Sequence, residues 1–204
     1  EAESGGGKSR LLAEFAQHGA QQGVWILRGQ GLDQAAQRPF QLLIGVAEGL
    51  VSAARLELGM EEKFRVGLGD QREAACSALP ELANLFGISS TAQLGPEEHG
   101  EARSVQALTT LLDAVGKTGR PVLVLLDDCQ WADELTIRVL SNWQRQSENT
   151  ERPILVVAAF RSEEVAFDHP LRALNASAHL KLRAFPASNV RKLVESMAGP
   201  LPDE

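Results

Sequence analysis

The run Ala2-Glu3-Ser4-Gly5-Gly6-Gly7-Lys8-Ser9 fits the spacing G-x-x-x-x-G-K-[ST], with Ala2 in the place of the first glycine. That spacing is suited to holding phosphate. Three successive glycines let the backbone close on an anion with no Cβ in the way, so that N–H groups can turn inward. Lys8 brings a point charge to the outer phosphates, and the Ser9 hydroxyl is a ligand for Mg²⁺. Arg10 follows directly and is counted with Gly5, Gly6, Gly7, Lys8 and Ser9 as nucleotide-binding. The helix expected next, from Leu11 to Ala16, directs its positive end at the same anion. ATP and Mg²⁺ are the ligands this chemistry implies.

A second group of residues lies more than a hundred positions downstream. Pro121-Val122-Leu123-Val124-Leu125-Leu126-Asp127-Asp128 is a buried strand with two carboxylates where it leaves the sheet. Ligands of open α/β sheets gather at the carboxyl ends of strands. Asp127 is expected to hold Mg²⁺ opposite Ser9, and Asp128 to orient or deprotonate an attacking water. On sequence alone the plainer alternative stays open: both carboxylates solvate a strand end and cap the next helix. Arg161 ends a third apolar run, Pro153 to Phe160, on the same rim. It can sense a γ-phosphate, or simply pair with Glu163 or Glu164.

These residues need a sheet to carry them. Gly23 to Gly29 is a short apolar run between glycines and reads as a strand buried on both faces. A long excursion, Gly31 to Arg120, separates it from the strand carrying the acids and is too long to be structureless. Within it a helix from Pro39 carries Phe40, Leu43, Ile44, Ala47 and Val51, and weaker helical stretches surround Phe64 and span Arg72 to Leu85. Gly87 to Pro96 reads as a loop, and Pro96 to Gly116 as a helix with Val105, Leu108, Leu112 and Val115 in one stripe. Asp133 is the expected N-cap of a helix from Glu134 to Gln146. Ala178 to Leu182 alternates like a strand, and Ser188 is the expected cap of a last helix, Asn189 to Met197.

Composition narrows the classes. The 204 residues are 44% hydrophobic, enough for an ordinary core, and carry a net charge of −7 with scattered cations, which disfavours a nucleic-acid surface. No apolar run approaches the roughly 18 residues a membrane span needs. Two distant cysteines, Cys76 and Cys129, point to a reducing cytoplasm rather than a disulfide framework. No initiator Met or targeting segment precedes the phosphate loop, which suggests a fragment whose first strand lies outside the sequence.

The segments GGGKSRLLAEFA, LVLLDDCQWADELT and AAFRSEEV, with DHPLRAL after the last, resemble the ATPase domain of STAND-type, AAA-related signalling proteins. These are large bacterial regulators in which the ATPase sits beside serine/threonine kinase, histidine kinase, cyclase or transcription-factor modules. The resemblance implies a three-layer α/β P-loop NTPase with a mostly parallel sheet. In it the absent first strand would be central, lying between the fourth and fifth, and the long helical excursion would fall between the second and third. It implies a core over residues 1–185, with 186–204 the start of a truncated lid or a following helical domain. By position, Lys8 and Ser9 match the loop residues, Asp127 and Asp128 the acidic pair, and Arg161 the strand-end sensor.

The function so implied is a slow ATP-hydrolysing switch. Its partners would be ATP and ADP, other domains of the same polypeptide and, in some assemblies, further copies of itself, with no membrane involved. A nucleotide-binding module without hydrolysis is the main alternative, because Asp128 stands where many AAA-type enzymes carry Glu. A small-molecule phosphotransferase is disfavoured, since no Arg-rich lid sequence is present for a second substrate.

Overall fold

A computed structural model describes residues 1–34, 38–88, 100–147, 153–184 and 186–199. Three parallel strands make the sheet, in the order β1 (Trp25–Gln30), β2 (Val122–Asp127), β3 (Ile154–Ala158). Trp25 is level with Val122 and Gln30 with Asp127, while Leu126 is level with Ala158, so the carboxyl ends of all three strands share one rim.

Alternation along β2 sorts the side chains into two layers. Leu123 and Leu125 face one way and join Leu12 and Ala16 of α1 (Lys8–Gln21) and Ala159 in a small cluster. Val122, Val124 and Leu126 face the other way, into the main core. That core is built by α2 (Ile44–Leu56), α3 (Met60–Leu68), α4 (Arg72–Ala78), α5 (Ala83–Phe86), α6 (Gly100–Gly116) and α7 (Glu134–Ser147), with Leu50, Phe64, Leu82 and Leu108 fully buried in it. Helices α2 to α6 all fall between β1 and β2 in the chain, as the apolar stripes suggest. The last helix is α8 (Ala187–Ala198). No helix of the described residues is long and apolar enough to cross a membrane.

Several expectations are corrected. β1 is not buried on both faces: Arg28 and Gln30 are exposed, because the strand lies at the sheet edge. β3 lies at the other edge, on the side where the resemblance leaves the first strand absent, and Leu155 there is 47% exposed. Residues 178–182 form no strand; among the described residues the backbone that pairs with them is Glu1, whose N-terminal ammonium donates to Leu180 O and whose carbonyl accepts from the Leu182 N–H. One residue of partner is too short a ladder to hold a strand.

Helix α2 starts at Ile44 rather than Pro39. Phe40 takes a left-handed φ of 61°, and a 3₁₀ turn, Gln41–Leu43, intervenes. Helix α1 runs through Gly19, which packs beneath Ile26, and ends at Gln21, two residues before Gly23, where φ is 78°. Ser188 lies inside α8, which begins one residue earlier. The expected loop from Gly87 to Pro96 and the first residues of the helix expected from Pro96 fall largely outside the described residues.

Candidate nucleotide site

The glycine run folds as a phosphate cradle requires. Gly5 and Gly7 hold φ of 74° and 85°, a region that side-chain-bearing residues rarely enter. A Cβ on Gly6 would come within 2.7 Å of Ala2 Cβ and 2.9 Å of Glu3 O. Gly7 is the N-cap of α1, no side chain caps that end, and its first turn carries no acidic residue. An incoming anion can therefore satisfy the open N–H groups of the first turn. Lys8 is buried, and its Nζ donates to Ala2 O at 3.0 Å and Glu3 O at 2.9 Å, leaving one of the three ammonium donors for phosphate. Arg10 is paired along the helix with Glu14 and is 80% exposed.

The loop is fastened to the end of β3. Ala2 is bridged in parallel to Arg161; its N–H reaches Phe160 O, and its carbonyl accepts from the Ser162 N–H at 3.1 Å. Glu163 Oε1 accepts the Ser4 N–H at 2.7 Å. Backbone N–H groups, its own and that of Ser4, hold the Glu163 carboxyl below the usual range, with Lys8 and Arg161 adding to the effect. The contact is thus present at neutral pH and is given up only as pH falls through that lowered value. Arg172 braces the following turn: its guanidinium donates to Ser162 O, Val165 O and Ala166 O, and pairs with Glu1 at 2.6 Å.

The acids stand where β2 ends. Asp127 Oδ1 accepts the N–H of Asp128, and Asp128 turns into a left-handed conformation with φ of 51°. This turn aims the Asp128 carboxylate at the neighbouring strand ends. Gln30 of β1 donates to its Oδ2 at 3.3 Å, Gln130 donates to its Oδ1 at 3.0 Å, and Arg161 Nε lies 3.6 Å from Oδ1. Arg161 also pairs with Glu164 at 2.7 Å, so its guanidinium joins both the acid at β2 and the surface carboxylate that sequence offered as its alternative partner.

Asp133 caps α7, accepting the Thr136 N–H and hydroxyl, and its Oδ2 also accepts the Phe40 N–H at 3.0 Å across 93 residues. Cys129 is buried beneath the acids. Burial pushes its thiol up to about 12, so it stays protonated at neutral pH.

Among the described residues no group of three or more His, Cys, Asp or Glu gathers to form an all-protein metal cage. Mg²⁺ takes oxygen donors and keeps several waters beside one or two carboxylates and the phosphates, and a hydroxyl at Ser9 and a carboxylate at Asp127 are donors of that kind. The donor set and the glycine cradle fit a magnesium–nucleotide complex. A cleft of about 240 Å³ elsewhere, between Arg38, Ser77, Glu101 and Leu135, contains none of these residues.

Gln30, Gln130 and the Glu163 contact to the loop escaped the sequence reading. The rule that places ligands at strand ends could have nominated Gln30, the last residue of β1, but no local pattern marks Gln130 as a bridge.

Residues 2–157 match the family model of the AAA ATPase domain. No curated protein and no solved structure matches the chain. The matched span holds the glycine loop, Lys8, Ser9 and both aspartates, and it ends just before Arg161. With that span covering about three-quarters of the 204 residues, the chain belongs to the AAA ATPase domain family.

Proposed function

We propose that this chain is the ATP-binding, slowly ATP-hydrolysing switch module of a larger bacterial signal-transduction protein of the STAND type. The observation that carries this reading is Arg161, whose backbone pairs with the phosphate loop while its side chain meets Asp128. In this reading Gly5 to Ser9 hold the phosphates, Ser9 and Asp127 hold Mg²⁺, Asp128 orients a water, and Arg161 meets the terminal phosphoryl group. The magnesium ion, when bound, neutralises phosphate charge. The parallel bridge from Ala2 to Arg161, together with the Glu1 bonds to Leu180 and Leu182, supports a place for the loop's own strand between β3 and residues 178–182. Residues 186–199 then begin a lid or a further helical unit.

A switch must distinguish ATP from ADP, and only a group that contacts the third phosphate can do so. Arg161→Ala is therefore expected to lower ATP affinity and leave ADP affinity nearly unchanged. A hydrogen bond to a charged group contributes about 1.5–3 kcal/mol, or roughly ten- to a hundredfold in the affinity ratio. Isothermal titration with each nucleotide and Mg²⁺ measures this, and an unchanged ratio returns Arg161 to a structural role beside Glu164. The second reading, binding without hydrolysis, draws on the three donors already crowding Asp128. Release of phosphate from ATP in the presence of Mg²⁺ decides between the two.

A further inference from the structure

Gln130 sits in the turn after β2 and touches two strand ends at once. Its Nε2 donates to Asp128 Oδ1 at 3.0 Å, and its Oε1 accepts the backbone N–H of Arg161 at 3.2 Å. A carboxamide is the side-chain type that presents a donor and an acceptor from one rigid plane, so both bonds together fix its orientation. Its own backbone is held in a short 3₁₀ turn, Cys129–Trp131, in which the Trp131 N–H donates to Asp128 O. The buried Cys129 beside it anchors that turn, with its N–H on Ala159 O and its thiol on Leu126 O. Gln130 is therefore a fixed strut, not a surface side chain that has found partners by chance.

The strut joins parts with separate tasks. Asp128 faces the water side of the proposed reaction. Arg161 lies opposite Ala2 of the phosphate loop, whose N–H reaches Phe160 O and whose carbonyl accepts from the Ser162 N–H, so the two residues flanking Arg161 are tied to the loop. A displacement of the loop end at Ala2 is carried to Arg161 N–H, then through the Gln130 carboxamide to Asp128 Oδ1. Gln30, on β1, steadies the other oxygen of Asp128 from the opposite side of β2, away from the loop end at Arg161.

We infer that Gln130 is a positioning residue that couples the occupancy of the phosphate loop to the orientation of the Asp128 carboxylate. The inference rests on the ATP-hydrolysing reading for its kinetic consequence, but not for its structural one.

Two variants separate the arms. Gln130→Met matches the side chain in size and removes both bonds. Gln130→Glu keeps an acceptor for Arg161 and removes the donor to Asp128. In the intact polypeptide, Gln130→Met is expected to lower kcat for ATP on the order of tenfold, the scale of one lost hydrogen bond to a charged group, with KM within about twofold of the parent. Combined with Asp128→Asn it should cause little further loss, since both changes disable one unit. Hydrogen–deuterium exchange at the Arg161 amide should accelerate in Gln130→Met and stay near the parent rate in Gln130→Glu.

An unchanged kcat in a hydrolysing parent, losses that multiply fully with Asp128→Asn, or a parent-like Arg161 amide in Gln130→Met each overturns the coupling. A parent that binds Mg²⁺ and ATP without turnover overturns the hydrolytic reading alone. In that case the Arg161 amide decides the strut: faster exchange in Gln130→Met upholds it, and unchanged exchange removes it.

Discussion

Lys8 is the buried cation of the loop, and its ammonium already donates to two carbonyls of the same loop. It therefore shapes the cradle, and in the proposed function it would also meet the anion. Lys8→Ala is expected to abolish measurable ATP binding while far-UV circular dichroism and cooperative melting persist; parent affinity in a folded variant would remove the loop's role. The two acids should separate in the same assay. Asp127→Asn should weaken Mg²⁺-dependent binding. Asp128→Asn should bind nucleotide nearly as well as the parent and hydrolyse it slower by about 10²–10⁴, the usual contribution of a positioned general base. Equal turnover in Asp128→Asn and parent would move the water-orienting role to another group.

At the scale of elements, the sheet and the helices meet through close backbone approaches rather than through side chains alone. A Cβ on Gly29 of β1 would fall 2.1 Å from Leu42 O and 2.9 Å from Leu126 Cδ2. One on Gly45, at the start of α2, would fall 2.5 Å from Arg28 O. The 3₁₀ turn and α2 thus lie directly on the backbone of β1, and Asp133 holds the strained Phe40 just ahead of them. Gly29→Ala should force these layers apart at a cost of about 1–3 kcal/mol. At this chain length each kcal/mol lowers the melting temperature by roughly 2–4 °C. A variant that melts with the parent would show that the layers can shift without cost.

Across the whole molecule the two faces of the sheet are unequally covered. On one side the main core draws residues from β1, β2 and β3 and from six helices; on the other, among the described residues, Leu12 and Ala16 of α1 form a small cluster with Leu123, Leu125 and Ala159 and a few partly buried neighbours. Leu11 and Phe15 of α1 remain 44% and 39% exposed. Stability follows buried apolar contact, so the α1 face should open at lower free energy than the helical face. Native-state hydrogen exchange is expected to show α1 amides exchanging by sub-global opening while the centre of α6 exchanges only on global unfolding. Equal protection of α1 and α6 would contradict this ordering.

The sequence by itself determined what local chemistry and periodicity encode. The glycines before Lys8 announce a loop with left-handed positions; the apolar run ending in Asp127 and Asp128 announces a buried strand with acids at its mouth; the stripe through Val105, Leu108, Leu112 and Val115 announces α6. Each is a statement about neighbours in the chain. Tertiary structure decided what depends on lateral neighbours. Whether β1 and β3 lie at an edge, and so expose Arg28 and Leu155, follows from strand order and not from their apolar content. The alternation of residues 178–182 suits a strand, but without a ladder it forms none. Gln30 reaches Asp128 over 98 residues and Ser4 reaches Glu163 over 159, and no periodicity links such pairs. Their meeting is set by the parallel register that brings three strand ends to one rim, because a hydrogen bond there is specified by the fold around it and not by the residues beside it.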